Sequence, residues 1–414
     1  MYIIKLNNIL IAAALMAAST NIYADNDNEG KELKYRRSSL YSLMVNHTDQ
    51  NFAKEIREAF VQMPVPDKYN DHDLSVKVLN LDKKLKDASS DKENQDITAF
   101  LTNNNVGSRL VAKWFNRDCF TGACDMELIK ERGLYNASKF DMMLAEKSER
   151  SKALIMDAGE DLIGNTFVLV NDIRYIDKSK GSKAVGGFLK ILGAVAAAYT
   201  GNDNYTDIGN GLGDIAETFK GFSVKINTFL YKLDWNDDVA MSFYKDQYSG
   251  NGNSTKKEAF DKARGNYKLK YIGKQESSGS TTSFIGIKED EPIVMVRKAC
   301  QRALDENVAN LQKNFEEFKT KTPLVTTDPI TAYIGLKEGV SEKSKYEVLE
   351  AIEDEHGKIS YKRVGVIKPV STLIWDNRYM AEEECAPNST LGATTFKKVS
   401  GGDFYQGMLI REIK

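Results

Sequence analysis

The spacing of apolar residues changes near residue 323, and this change limits the possible folds more than any other feature of the chain. Between Pro292 and Lys319, apolar residues recur every three or four positions, which predicts a long amphipathic helix. Pro323 and Pro329 follow, and from Ile330 onward short alternating runs predict only strands and turns. We therefore expect an α+β protein, in which a mixed α/β region precedes a small C-terminal all-β barrel or sandwich.

The same patterns divide the chain of 414 residues into four parts. We expect a signal peptide at 1–24, a leader and small α/β segment at 25–97, a main α+β domain at 98–322 and a C-terminal β-domain at 323–414. Residues 179–217 are predicted to be a glycine-rich apolar insertion in the main domain, because Gly, Ser, Asn and Asp flank a single apolar run there.

The strand pattern of the main domain is clearest at 166–170 and at 222–235. The triplet Asn236-Asp237-Asp238 is typical of a turn, so residues 239–244 are predicted to return as the second strand of a β-hairpin. Residues 275–283 are rich in Ser, Gly and Thr and are predicted to be a linker.

The first 24 residues have the pattern of a secretory signal peptide. Lys5 precedes an apolar stretch, and Ile22 and Ala24 occupy the positions that a signal peptidase recognises. The stretch is shorter than the roughly 20 residues that a membrane-spanning helix needs, so cleavage is favoured over anchoring. We expect a periplasmic, outer-membrane-associated or secreted protein.

The apolar run at 184–200 allows two interpretations. It is short for a membrane span and contains Lys190, which favours a helix buried against the domain. The alternative is a helix that contacts a membrane or another copy of the chain. That contact would use the large apolar side chains Phe188, Leu189, Ile191, Leu192 and Val195.

Charge and composition exclude several kinds of chemistry. The formal net charge is −2, with three His and four Cys, which argues against nucleic acid binding, metal clusters and thiol catalysis. Cys119 and Cys124 lack CxxC spacing, and in an oxidising compartment they form either a small disulfide or two free thiols. The motifs G-x-S-x-G, H-E-x-x-H and G-x-x-x-x-G-K-[ST] are missing, so we expect no catalytic residues and no cofactor.

One short segment, Asp71-His72-Asp73, combines an imidazole with two carboxylates. These side chains could ligate a divalent cation, and the competing interpretation is a solvated loop after Pro66.

Two further groups of residues support alternative functions. Paired carboxylates can serve as general acid and base in a secreted hydrolase, although such spacing is also common on helix surfaces; the candidates are Asp157, Glu160 and Asp161. Aromatic side chains could stack on a glycan or peptide in a surface ligand-binding module, or form a core face; the candidates are Phe229, Tyr231 and Trp235.

The C-terminal region resembles the C-terminal β-domain of flagellar assembly protein T. The residues that carry the resemblance are Ala332-Tyr-Ile-Gly-Leu-Lys-Glu-Gly-Val340, Tyr346-Glu-Val348, Val364-Gly365 and Phe404-Tyr-Gln-Gly-Met-Leu409. The α/β part is similar in topology to that protein and to the curli secretion channel subunit, and the whole chain is similar to exported Bacteroidota-type envelope proteins of unknown function. The resemblance implies a non-enzymatic envelope component, often part of a ring.

Together, these features predict an exported, non-catalytic envelope protein. We expect it to act through protein–protein or membrane-proximal interaction, with partners in the envelope or further copies in a homo-oligomer. Nucleic acid is not an expected partner, and membrane contact would run through residues 184–200.

Overall fold

The computed structural model describes residues 38–80, 90–136, 159–160, 162–176, 220–283, 292–353 and 359–413. The α-helices within these ranges are α1 (Ala53–Gln62), α2 (Ser90–Asn103), α3 (Val106–Trp114), α4 (Glu127–Asn136), α5 (Asp237–Asp246), α6 (Ser254–Lys262) and α7 (Pro292–Asn314). The strands are β1 (Ser38–Val45), β2 (Tyr69–Asp71), β3 (Val78–Leu79), β4 (Thr166–Tyr175), β5 (Lys220–Leu233), β6 (Leu269–Ser283), β7 (Thr322–Thr327), β8 (Ile330–Ala332), β9 (Lys345–Glu353), β10 (Ile359–Pro369), β11 (Thr394–Gly401) and β12 (Leu409–Ile413).

The first six strands form one mixed sheet in the order β2-β1-β4-β5-β6. Strand β1 is parallel to β4 on one side, and on the other side it pairs with β2 near its start and with β3 near its end. Strands β5 and β6 continue the sheet in antiparallel pairs. The carboxyl end of β1 therefore lies inside the sheet, where α/β proteins often place ligands.

Alternating side chains send apolar groups to both faces of this sheet. On one face, Leu40, Phe167 and Leu230 pack against α7, and α1 joins α7 over the neighbouring part of the face. On the other face, Tyr41, Val168 and Phe229 pack against α2 and α3. The result is a layer of helices on each side of the sheet.

The last six strands close a barrel in the order β10-β11-β8-β7-β12-β9. Its interior is filled by apolar side chains that include Leu324, Val348, Ile367, Phe396 and Ile410. Helix α7 holds the barrel from outside: Lys313 Nζ donates to Gly339 O over 2.7 Å, and Arg302 donates to Tyr379 O over 2.9 Å. These bonds fasten the barrel to the same helix that covers the sheet.

The fold class predicted from the sequence is confirmed, since helices and a mixed sheet precede a closed C-terminal barrel. Helix α7 also agrees with its predicted start at Pro292, although a separate 3₁₀ turn at Glu316–Phe318 follows its end at Asn314. The signal peptide at 1–24 and the whole insertion at 179–217 lie outside the described residues. In the part of the chain that the structure describes, no helix is both long and apolar enough to cross a membrane.

Two predictions about strands were wrong. Residues 239–244 belong to α5 rather than to a hairpin, because Asn236 caps that helix by accepting a hydrogen bond from Val239 N, and Asp237 and Asp238 occupy its first turn. Residues 275–283 belong to β6 rather than to a linker. Small residues suit this strand because Gly279 lies against the backbone of α7, where a Cβ atom would be 2.0 Å from Ala299 O.

Candidate functional site

A narrow cleft lies between α7 and the sheet. It opens beside the segment that follows α1, and its volume is about 560 Å³, which includes solvent at the open mouth. The walls are mainly apolar and include Leu40, Phe60, Met63, Leu169, Leu304 and Val308. The polar groups that border it are Ser42, Asp71, Asp73, Lys77, Asn171, Gln301 and Asp305.

Asp305 is the most unusual of these groups because it is a buried carboxylate on an apolar helix face. Its side chain is 5% exposed. Gln301, one turn earlier in α7, donates from Nε2 to Asp305 Oδ1 over 3.1 Å, and Asp305 Oδ2 has no hydrogen-bond partner among the described residues. Burial raises the pKa of Asp305 to about 6, because the charged form loses its hydration.

The floor of the cleft is fixed by a buried chain of amides and hydroxyls. Asn171 Nδ2 donates to Ser42 Oγ over 3.1 Å and to Leu43 O over 3.0 Å. Thr228 Oγ1 donates to Asn171 Oδ1 over 2.8 Å, and Asn307 Nδ2 donates to Thr228 Oγ1 over 2.8 Å. This chain ties α7 to three strands, so the cleft is a preformed part of the fold.

The rim carries the two aspartates that the sequence singled out. Asp71 Oδ1 accepts from Asp73 N over 3.0 Å, and Asp73 Oδ1 accepts from Ser75 N over 2.9 Å, so each carboxylate stabilises the local turn. Lys77 Nζ lies 3.9 Å from Asp73 Oδ2 and donates to Val61 O over 3.2 Å. The single lysine of the cleft is therefore already engaged.

The metal site predicted at Asp71-His72-Asp73 is not formed. His72 is fully buried on the opposite side of the segment; its Nε2 donates to Leu110 O over 2.9 Å, and its Nδ1 accepts from Arg132 over 2.6 Å. Burial and the neighbouring Arg132 guanidinium hold the pKa of His72 well below its usual range. Over the described ranges, no group of three or more His, Cys, Asp or Glu is arranged to hold a metal ion.

A second polar cluster lies near the carboxyl end of β1, on the face covered by α2. His47, two residues after β1, contacts Asp172 Oδ1 through Nε2, and Arg174 Nε donates to the two oxygens of Asp172 over 2.9 and 3.1 Å. Glu93 from α2 shares a hydrogen bond with Asp172. Glu93 is 3% exposed, and its Oε1 has no partner within the described part of the chain.

The pKa values of the two carboxyl groups in this cluster are shifted in opposite directions. Burial, together with the hydrogen bond and charge of Asp172, raises the pKa of Glu93 to about 8. Burial by itself would raise the pKa of Asp172, but His47 and Arg174 outweigh it and lower that pKa below its ordinary value. One buried cluster thus raises the pKa of Glu93 and lowers that of Asp172, which is the pattern of paired carboxyl groups with separate acid and base roles.

The cysteine pair does not form a disulfide in this structure. Cys119 is exposed and Cys124 is buried, and both are free thiols. The loop between them is closed by Asp118 instead, whose Oδ1 accepts from Thr121 N over 2.6 Å and from Phe120 N over 3.0 Å. Of the two alternatives, the structure shows two free thiols, and local Asx geometry closes the loop in place of a disulfide.

The predicted stacking surface is also largely absent. Phe229 and Tyr231 are fully buried between the sheet and α2, so they cannot meet a ligand. Trp235 is half-buried, packs against Phe115 and Phe243, and borders a separate shallow cleft. Only Trp235 keeps the surface position that stacking requires.

The remaining predicted residues fall into two groups. Glu160 accepts a hydrogen bond from Tyr244 Oη over 3.0 Å, and its partner groups Asp157 and Asp161 lie outside the described residues. Phe188, Leu189, Ile191, Leu192 and Val195 also lie outside them. The predicted catalytic role of the first group and the predicted contact role of the second therefore stay predictions.

Four residues of these two sites were not predicted from the sequence: Asp305, Glu93, Asp172 and His47. Asp305 carried one signal: it falls on the face of α7 that the apolar spacing predicts to be buried, four residues after Gln301. Glu93 and His47 carried none, because they come from segments separated from Asp172 by many residues. Comparisons with protein-family models and with curated proteins found no match to this chain.

Proposed function

We propose that the protein is exported to the cell envelope and acts there without catalysis, by binding a protein partner at the cleft beneath α7. The observation that supports this is Asp305, a residue that lines the cleft and whose buried Oδ2 has no donor among the described residues. Buried acceptors are nearly always paired, so a donor from a bound group would complete the site. A periplasmic, outer-membrane-associated or secreted location is part of the proposal.

Export is tested by fractionating the native host and sequencing the N-terminus of the protein. We expect a mature chain that begins at Asp25, in the periplasm, the outer membrane or the medium. A cytoplasmic chain that retains Met1 would contradict export. Deletion of residues 184–200 in the same experiment tests whether that run contributes to membrane association or oligomer size.

Partner binding is tested with a photo-crosslinking residue at the mouth of the cleft. Pro64 is exposed and borders the cleft, and Val399, 52% exposed on the barrel, is the matched control. We expect a discrete crosslinked species from position 64 and none from 399. The species is then identified, and its binding is reproduced with purified proteins; a second copy of this chain would show as a crosslinked dimer. Equal crosslinking at both positions would contradict a specific site.

A second candidate function is an acid–base enzyme of the hydrolase class. The observation in its favour is the buried cluster of His47, Glu93 and Asp172, in which the pKa of Glu93 is raised and that of Asp172 is lowered, since general acids and bases need such tuned groups. A panel of chromogenic esters, phosphate monoesters and glycosides tests it. If this candidate is correct, Glu93→Gln and His47→Gln should each lower turnover by at least about 100-fold while the fold is kept. No turnover on any of these substrates would contradict it.

A further inference from the structure

The cleft beneath α7 offers acceptors to a ligand but few donors. Both amide hydrogens of Asn171 are used, by Ser42 Oγ and Leu43 O. The Gln301 amide donates to Asp305 Oδ1, and Asp305 Oδ2 is left without a donor in the ranges that the structure describes. Asp305 Oδ2 is therefore an open acceptor, and a group that pairs with it must donate a hydrogen bond.

The charges that border the cleft favour a cation. Asp71, Asp73 and Asp305 are its acidic residues, and Lys77 is its only basic residue among those described. The Lys77 ammonium already interacts with Val61 O and with the Asp73 carboxylate. Lys113 also interacts with Asp71 and Asp73, so Asp305 is the carboxylate of the cleft that would stabilise a further positive charge.

The apolar side chains that line the cleft favour a cation attached to an alkyl chain. The side chains of Phe60, Met63, Leu169, Leu304 and Val308 form an apolar passage toward Asp305. An unbranched alkyl chain can lie along such walls while its charged end meets the carboxylate. A planar guanidinium binds a carboxylate best through two parallel hydrogen bonds, whereas Asp305 leaves one oxygen free.

We infer that the cleft binds a primary ammonium group on an alkyl chain, with Asp305 Oδ2 as its acceptor. This inference rests on the proposed partner-binding function, for which the ammonium would be a lysine side chain of the partner. A free alkylamine has the same chemistry, and the experiment below distinguishes the two sources.

The inference includes a pH dependence, because only ionised Asp305 balances the ammonium charge. Burial raises the pKa of Asp305 to about 6, Lys337 and the Gln301 amide favour its ionised form, and Glu338 and Asp67 oppose it. Asp71, Asp73 and Lys77 border the same cleft. Affinity for the ammonium group should therefore rise between pH 5 and pH 7.5.

The first arm of the test titrates the purified protein with n-butylammonium, n-butanol and n-butyrate by calorimetry. At pH 7.5 we expect n-butylammonium to bind at least tenfold more tightly than the other two. Asp305→Asn should lower its affinity at least tenfold, because the variant keeps the shape and loses the charge. Glu306→Gln is the matched control: it removes the same charge one position along α7, from a residue that is exposed and does not border the cleft. Equal loss in both variants would overturn the inference.

The second arm replaces the amine with a blocked Gly-Lys-Gly tripeptide and its norleucine analogue. Binding of the lysine peptide, without binding of its norleucine analogue, supports a lysine side chain of a partner as the ligand. Binding of n-butylammonium without the lysine peptide supports the ammonium site and contradicts its use for a protein partner. Failure of both amines overturns the inference, and the crosslinking experiment at position 64 still decides separately whether a partner is bound.

Discussion

Gln301 and Asp305, one turn apart on the buried face of α7, form a hydrogen bond that satisfies only half of the Asp305 carboxylate. The Gln301 amide donates to Oδ1 over 3.1 Å. Asp305 lines the cleft, and its Oδ2 is buried without a partner among the described residues. An incompletely paired buried carboxylate weakens the fold and prepares a site for a donor. The first prediction follows from this cost.

Asp305→Asn should stabilise the protein at neutral pH. The ordinary pKa of 3.8 rises to about 6 in the folded state, so the native state binds the proton more tightly than the unfolded state does. The contribution of protonated Asp305 to the free energy of unfolding is therefore complete below pH 3.8 and is lost as pH rises through 6. The pKa shift corresponds to a loss of about 3 kcal/mol at most. Urea unfolding at pH 4.5 and 7.5 should show that the variant gains more stability at the higher pH. Glu350→Gln, an exposed change on β9, should alter neither value; a loss of stability in Asp305→Asn at pH 7.5 would contradict the prediction.

The wild-type protein should lose stability at alkaline pH, and Glu93→Gln should abolish that loss. The pKa of Glu93 is about 8 in the folded state against 4.5 ordinarily, so the contribution of protonated Glu93 is full below pH 4.5 and is lost as pH rises through 8. Between pH 6 and 9, the wild-type free energy of unfolding should fall by more than about 1.4 kcal/mol relative to the variant, the equivalent of one pKa unit. Chemical denaturation at both pH values measures this. Parallel curves for the two proteins would show that Glu93 does not hold the proton.

Arg132→Met should destabilise the protein and change the titration of His72. Arg132 donates to Ser39 Oγ and Asp71 O, each over 2.9 Å, and its guanidinium stacks on Trp114 at 4.4 Å. Methionine keeps the apolar contact but leaves buried acceptors unpaired, which should cost about 2 to 4 kcal/mol. The pKa of His72, followed by NMR, should rise because one positive neighbour is lost.

Arg109→Met is the control for this variant. Arg109 is exposed on α3 and makes a single long bond of 3.3 Å to Leu74 O, so the change should stay within about 0.5 kcal/mol. Equal losses of stability in Arg132→Met and Arg109→Met would contradict the prediction that Arg132 stabilises the protein through the buried hydrogen bonds around His72.

Gly279→Ala should weaken the contact between β6 and α7. The added Cβ would lie 2.0 Å from Ala299 O, a backbone atom that cannot move without shifting the helix. We expect a loss of about 1 to 3 kcal/mol in urea unfolding. Gly265→Ala, where nothing lies within 4 Å of the new Cβ, should have little effect. A tolerated alanine at 279 would mean that α7 is not held at this distance.

The spacing of apolar residues predicted secondary structure correctly where a single segment satisfies its own hydrogen bonds or buries one face. The spacing of Val296, Cys300 and Val308 predicted α7, and all three side chains are buried. The prediction failed at 239–244 because a strand and a short amphipathic helix have similar apolar content over six residues, and the cap at Asn236 was interpreted as a turn. It failed at 275–283 because Gly and Ser, usually signs of a loop, are here required by the close approach of α7.

The sequence by itself determined the class of fold and the place where helices give way to a barrel, because helix and strand periodicity are properties of neighbouring residues. It also placed Asp71 and Asp73 together, since they are two positions apart. Only the tertiary structure decided that His72 belongs to the core, that Asp305 borders a cleft, and that His47, Glu93 and Asp172 meet. Asp172 is 79 positions from Glu93 and 125 positions from His47, and no local pattern encodes such contacts. Burial, which sets the pKa of each carboxylate, likewise exists only once the helices have packed on the sheet.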